Sequence, residues 1–509
     1  MSAGPAPPRA QLAGWRSALA LTLLLTLLRL LALRASPLEL YPDEAQYWVW
    51  SRTLAWGYFS KPPMIAWLIA ASTAAFGDAE PFVRLSSPLL HAAAGLWIYA
   101  AGRRLYGAGV GLAALLIYAL MPAVQLGAFV VSTDTPLCAF LAAALWLYAM
   151  LQPPAARAKV LIAAGLGAGL GLAFLSKYAA LYALIGIGLH LALAKEARRA
   201  WSFAPAAAAI GAFLVVAGPN LAWNAAHGFA TVAHTADNAD LGSRRVFDLR
   251  PLLEFLGAQF GVFGPVPFAV LAGGAVGLAV RRRLQASDLL LLCWAAPPLV
   301  IIIAEAVIAR AHANWAVAAY VPGSILVAAW LLRWRRRRLL AATAIGQALV
   351  AVAILAGLTH PKLADSVGLA NALKRLRGWR EMAEQFVQQG QIEALAGPLT
   401  AAAVDDRFLF NEMAYYGRNY FGGTGPPLRA WTGGAPAEDE AERAFPLTVA
   451  EGGRVLVGSL EGFRTKTIMA AFARTGDLAI SEVRLDPRHG RRLDIFVGEG
   501  LRPGTAPLR

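Results

Sequence analysis

The sequence predicts a mainly α, polytopic membrane protein of about 11–13 transmembrane helices, with a small soluble α/β domain at its C-terminal end. Three observations carry this reading. Apolar residues make up 58% of the 509 residues and charged residues only 15%, whereas an ordinary soluble domain carries ~25% charged residues. The apolar residues come in long runs, and ~20 of them cross a bilayer. After about residue 358 the runs give way to Gly, Pro, charge and short β-type stretches such as Arg454–Gly458 and Leu493–Val497.

The first run, Trp15–Leu33, exceeds the ~7–15-residue core of a signal peptide. Many more runs follow it, so it reads as an uncleaved first helix. Further spans are expected near 82–102, 109–131, 135–152, 160–175, 179–194, 202–222, 252–280, 287–308, 315–332 and 339–357. With the first, these make about eleven. Segment 64–77 is apolar but short, and reads as interfacial or re-entrant. Residues 1–358 are thus expected to form a transmembrane domain with an outer-face loop at 35–63. Residues 359–509 form a second domain, large enough to hold a core.

The net charge is +15. Residues 1–359 hold 27 Lys/Arg and 13 Asp/Glu, a difference of +14, while 360–509 hold 19 and 18, a difference of +1. The excess lies in short loops: Arg103–Arg104, Arg157 with Lys159, Lys195 with Arg198–Arg199, Arg281–Arg283, and Arg333 with Arg335–Arg338. A cytoplasmic N-terminus puts all of them inside, as the positive-inside rule requires. The basic clusters therefore set topology and offer no nucleic-acid face. Cys138 and Cys293 lie inside apolar runs, with neither disulfide nor metal-ligand spacing.

The loops left outside hold the candidate chemistry. In Tyr41-Pro-Asp-Glu-Ala-Gln-Tyr-Trp-Val-Trp50, Pro42 suits a first helical turn and Asp43 and Glu44 suit its positive end. The aromatic residues, here including Tyr47 and Tyr58, also suit a membrane interface. Asp134, in Ser132-Thr-Asp-Thr-Pro136, falls on the same face as Asp43. Two carboxylates there point to a general base for a hydroxyl acceptor or to a shared divalent ion, the one cofactor left open. Lys61, and Lys177 in Ser176-Lys-Tyr178, place two ammonium groups on that face, suited to a lipid-linked phosphate. Arg310-Ala-His-Ala-Asn-Trp315 adds Arg310 for phosphate and His312 and Asn314 for a sugar cavity. Glu44, Tyr47, Tyr58 and Tyr178 complete that expected cavity. Loop 223–250 carries His227, His234, Asp237 and Asp240, whose spacing is no recognised zinc pattern. Glu254 and Glu305 lie near outer helix ends and are expected at the same cavity. The glycines of Gly165-Leu-Gly-Ala-Gly-Leu-Gly171 read as helix packing, not as a phosphate loop.

Tyr41-Pro-Asp-Glu-Ala-Gln-Tyr-Trp48, followed by Gly57-Tyr-Phe-Ser-Lys-Pro-Pro-Met64, resembles the first-loop signature of bacterial GT-C glycosyltransferases. These are the protein-mannosyltransferase-like families 39 and 83, which include the lipid A aminoarabinose transferases. Ser132–Pro136, Leu175–Tyr178, Trp223–Gly228, Leu252–Leu256, Ala313–Trp315, Leu376–Glu381 and Asp406–Phe410 follow in the family's order. The resemblance implies a GT-C fold in the bacterial inner membrane, with the C-terminal domain periplasmic. It implies transfer of one sugar from a polyprenyl-phosphate donor to an outer-face acceptor (lipid A, another glycolipid, a glycan or a protein). It marks Asp43 as principal carboxylate, Asp134 as the second and Lys61 as the donor-phosphate lysine. Ser60 stands where aminoarabinose transferases commonly have Glu, which leaves the sugar open. The competing reading is a lipid or glycan flippase. The chain shows no internal duplication and no paired broken helices to support it.

Overall fold

The computed structural model describes residues 8–152, 158–199, 201–229, 231, 249–281, 283–309, 311–460 and 462–503. Each expected apolar stretch is helical. Pro8–Ala35, Ser86–Tyr106, Asp134–Leu151, Lys159–Ser176, Leu181–Leu193, Phe203–Ala226, Ala286–Ile308 and Arg337–Thr359 are continuous helices. The other three stretches are interrupted. Pro122 lacks the N–H that would continue helix Ala108–Ala119, and a short helix, Pro122–Gly127, restarts there. Gly264, at φ +105°, and Pro265 split the long 252–280 run. Its halves, Leu249–Val262 and Pro265–Val280, meet at 118°. Tyr320–Arg333 is entered through a 3₁₀ segment, Ala313–Ala319.

Among the described residues, seven helices are long and apolar enough to cross a membrane, or up to eight if the bent pair is one span. Met64–Phe76, Ala108–Ala119 and Tyr178–Leu193 are shorter apolar helices. The protein is a multi-pass membrane protein. The glycine run packs as expected: a Cβ at Gly167 would lie 1.9 Å from the Ala209 carbonyl oxygen of helix Phe203–Ala226. Only glycine lets those two backbones approach so closely.

The polar groups gather at the two ends of the bundle. At one end Arg333 and Tyr106 hold the buried Asp288 carboxylate, both at 2.7 Å. The other end carries Asp43, Lys61, Asp134 and Lys177.

Beyond the last long helix the chain forms a six-stranded sheet. Its strands are β1 (Ala401–Val404), β2 (Leu428–Ala430), β3 (Arg454–Ser459), β4 (Phe472–Thr475), β5 (Ala479–Arg484) and β6 (Gly490–Leu501). The order is β2-β1-β3-β6-β4, with β5 also pairing β6. β1 runs parallel to β2 and β3, while β6 is antiparallel to β3, β4 and β5. Helices Trp379–Ala396 and Arg407–Tyr416 cover one face, burying Met382, Phe386, Leu409 and Met413 against Val404, Leu456 and Ile495. This unit docks on the first loop. The Tyr416 hydroxyl accepts the Leu40 N–H at 2.8 Å, and Glu39 accepts the Trp379 N–H at 2.6 Å.

Candidate active site

The first loop folds into helix Pro42–Ser51, with Pro42 at its first position and both acids in its first turn. Neighbours on a helix point in different directions, and here that separates two roles. Glu44 turns inward and has no exposed surface. It meets the guanidinium of Arg84 at 2.7, 3.0 and 3.1 Å and accepts the backbone N–H groups of Tyr41 and Val131, both at 2.8 Å. The expectation that Glu44 lines a substrate cavity is therefore corrected. Its oxygens are taken up in latching the first-loop helix to the segment that leads into Asp134. Asp43 turns outward. Its side chain is 44% exposed, and its nearest cation is Arg407 of the C-terminal unit, at 3.7 Å.

Asp134 opens helix Asp134–Leu151. One carboxylate oxygen takes the Lys177 ammonium at 2.7 Å and the other takes the Asn314 amide at 2.7 Å. Three separate loops thus converge on it. Lys61 is presented by a tight turn in which the Tyr58 N–H donates to the Lys61 carbonyl at 3.1 Å, just before Pro62 and Pro63. Its ammonium forms no hydrogen bond or ion pair among the described residues. Burial pulls it below the usual lysine range, and Lys177 and Arg407 add to this. Asp43 and Asp134 oppose it. Lys61 therefore lies within electrostatic reach of both carboxylates and both other cations. The Tyr47 phenol, one turn beyond Asp43, is held well above its ordinary value by burial first, then by Asp43 and Asp134. It stays protonated, a donor beside the two acids.

Other expected cavity residues have structural partners. The Tyr58 ring stacks on Trp50 at 4.7 Å, and its hydroxyl donates to the Trp50 and Thr53 carbonyls, so it shapes the loop. The Tyr178 hydroxyl lies 3.1 Å from Asn220 Oδ1 and 2.9 Å from Asn224 Nδ2. His312 is exposed and packs on Trp315, and it is Asn314 that reaches Asp134. Glu254 pairs with Arg250 on an exposed helix face. Arg310, His234, Asp237 and Asp240 lie outside the described residues.

Sequence reasoning missed Arg84, Arg407 and Glu440. Arg407 begins a helix capped by Asp406, which accepts the N–H groups of Phe408 and Leu409 at 2.8 and 2.9 Å. That Asp-Arg pair was visible in the sequence, but nothing there placed it beside residue 43. Glu440 accepts the Phe59 N–H at 2.8 Å and so steadies the turn that carries Lys61.

A groove of about 440 Å³ descends from Asp134 and Asn314 between helices. Val130, Leu126, Val262 and Val317 line it, and His91 lies deeper. A divalent ion between Asp43 and Asp134 would have to displace Lys177 and sit beside Lys61 and Arg407. This donor set does not fit a metal, and among the described residues no group of three or more His, Cys, Asp or Glu side chains could hold one.

The architecture is that of a known class. ArnT from Cupriavidus metallidurans, bound to undecaprenyl phosphate, superposes with a TM-score of 0.62 at 17% identity, covering 97% of this chain and 99% of that one. Its apo form gives 0.61 at 18%, covering 96% and 98%. The fold is therefore the GT-C fold. Residues 60–223 match the family model of dolichyl-phosphate-mannose-protein mannosyltransferases. The lipid A galacturonosyltransferase RgtD of Rhizobium johnstonii is 42% identical over 318 residues, which span 62% of this chain and 66% of that protein. The chain therefore has the GT-C fold and is similar in sequence to protein-mannosyltransferase-like enzymes over part of its length, spanning just under two thirds of the galacturonosyltransferase relative.

Proposed function

We propose that the protein transfers one sugar from a polyprenyl-phosphate donor to a lipid acceptor at the periplasmic face of the bacterial inner membrane, with inversion. The observation that carries this reading is Lys61, an ammonium held below the usual lysine range by burial and making no ion pair among the described residues, in one cluster with the exposed carboxylate of Asp43. A lipid-linked phosphate would pair with it. The groove below Asp134 offers an apolar path for a prenyl tail. In the displacement, Asp43 takes the proton of the acceptor hydroxyl as that oxygen attacks the anomeric carbon. Lys61 and Lys177 stabilise the phosphate as it leaves. Asp134 holds Lys177, and through Asn314 it ties a third loop to the site. A flippase has less support, because the charged groups of this site lie at a rim and not at the midplane where transport sites gather.

The sugar we propose is a hexuronate. The galacturonosyltransferase relative points that way, and Arg407, partly exposed beside Asp43, offers a guanidinium fork to a sugar carboxylate. The test is mass spectrometry of lipid A from a deletion strain complemented with wild type or Asp43→Asn. A uronate mass that is lost on deletion, restored by wild type and still missing with Asp43→Asn is expected. An unchanged lipid A defeats the acceptor assignment, and near-normal transfer by Asp43→Asn defeats the mechanism.

A further inference from the structure

A second cavity lies away from the sugar site. It is a crevice of about 940 Å³ along helix Pro265–Val280, and Arg281 and Arg283 stand at its mouth. Asn314 and Arg333 close opposite ends of one 21-residue span, Ala313–Arg333. Arg333 lines the crevice while Asn314 holds Asp134, so the mouth opens at the membrane face opposite the carboxylates.

Three features point to one class of ligand. The wall is mostly apolar, with Val266, Val270, Leu278, Trp334 and Leu339 around one strip of small residues. Ala269, Gly273 and Gly277 recur every four residues along one helix face, and a Cβ built at Gly273 or Gly277 would meet nothing within 4 Å. These two glycines therefore leave a channel open, unlike Gly274, where a Cβ would strike Trp330 at 2.5 Å. The helix is 16 residues long, about 24 Å, which is enough to accompany an acyl chain through its leaflet of about 15 Å. The mouth is positive and uncompensated. Arg333 is neutralised by Asp288 at 2.7 Å, but the side chains of Arg281 and Arg283 form no hydrogen bond or ion pair among the described residues. No acidic residue is among those lining the crevice.

We propose that this crevice binds one anionic glycerophospholipid, with an acyl chain along Ala269, Gly273 and Gly277 and its phosphate between Arg281 and Arg283. A topology signal needs only the arginines. It does not need a chain-wide channel leading to them. The site is independent of the sugar-transfer reading.

The experiment uses the full-length protein, delipidated in detergent. It is titrated separately with phosphatidylglycerol, phosphatidylcholine and undecaprenyl phosphate, and bound lipid is counted by native mass spectrometry. One phosphatidylglycerol retained in preference to phosphatidylcholine is expected. Arg281→Gln/Arg283→Gln should weaken that retention roughly thirtyfold, at about 1 kcal/mol per arginine. Gly273→Leu/Gly277→Leu, which fills the channel, should abolish it. Thermal unfolding checks that each variant is folded. If the glycine variant does not fold, the exposed arginine pair still decides. Equal retention of the two phospholipids, wild-type binding by the arginine variant, or displacement of phosphatidylglycerol by undecaprenyl phosphate would overturn the proposal.

Discussion

Replacing Glu44 by Gln should inactivate the protein by unlatching it, although Glu44 touches no substrate. The carboxylate is fully buried, meets Arg84 through three close contacts, and receives two backbone N–H groups. Breaking a buried pair from one side leaves an uncompensated charge and costs about 3–5 kcal/mol. The first-loop helix would then lose its tie to Val131, and Asp43 its register with Asp134. The double variant Glu44→Leu/Arg84→Met separates this account from a substrate-binding role. It removes both charges and replaces them with apolar volume, an exchange that is often neutral or better. Arg84 also donates to the Leu38 carbonyl at 3.1 Å and the Glu39 carbonyl at 2.6 Å. Each acceptor left dry costs about 1–3 kcal/mol, so rescue is partial. A coupling of about 2–3 kcal/mol between the two substitutions is expected. The assay pairs thermal unfolding in detergent with sugar transfer in membranes. A single variant as stable as wild type, or a double variant no better than the worse single one in both readouts, refutes the latch.

Lys61→Met should lower sugar transfer by about 10²–10³-fold, as the loss of one transition-state donor does, while the unfolding midpoint holds or rises because a desolvated charge is gone; a fall in the midpoint with activity retained would contradict this. Asp43→Asn should cost about 10²–10⁴-fold in turnover and at most about 1 kcal/mol in stability, since its ion pair with Arg407 is long and partly exposed. Arg407→Gln should reduce transfer of a uronosyl donor about tenfold more than that of the matching neutral hexosyl donor, if one bidentate contact worth ~1.5–3 kcal/mol is lost; equal losses would remove Arg407 from sugar recognition. Glu412 is buried with both oxygens unpartnered, and burial, then Glu39, raises it well above the carboxylate range. Because the folded value is raised, its stabilising contribution is present at low pH and lost as pH climbs through that value. Glu412→Gln should flatten the fall in the unfolding midpoint as pH rises above the ordinary carboxylate range, and an unchanged pH profile would refute that.

Much of the site is legible in the sequence. Asp43, Lys61, Asp134 and Lys177 stand in short loops between apolar runs, and the structure gathers them at one rim. A positive-inside alternation assigns loops to faces, and a carboxylate or an ammonium beside an apolar run announces itself. Helix breaks were less visible. The 252–280 run reads as one long hydrophobic stretch, yet Gly264 and Pro265 turn it through 118°, because a positive φ and a missing N–H end the helix whatever the hydropathy. The inward turn of Glu44 and Tyr58 is hidden in the sequence for a related reason. Residue type and loop membership do not say which way a side chain points on a helix or a tight turn.

Composition and order along the chain by themselves determined a multi-pass helical protein with a small sheet after its last long helix and a charged first loop, because hydropathy is a property of short windows. Only the tertiary structure decided that Glu44 turns inward to Arg84 while Asp43 turns outward, that Arg407 enters the site from some 360 residues away, and that Lys61 shares one cluster with Asp43, Asp134, Lys177 and Arg407. Those facts depend on which distant groups share one small desolvated volume, and pairwise distances across the fold are written in no local stretch of sequence.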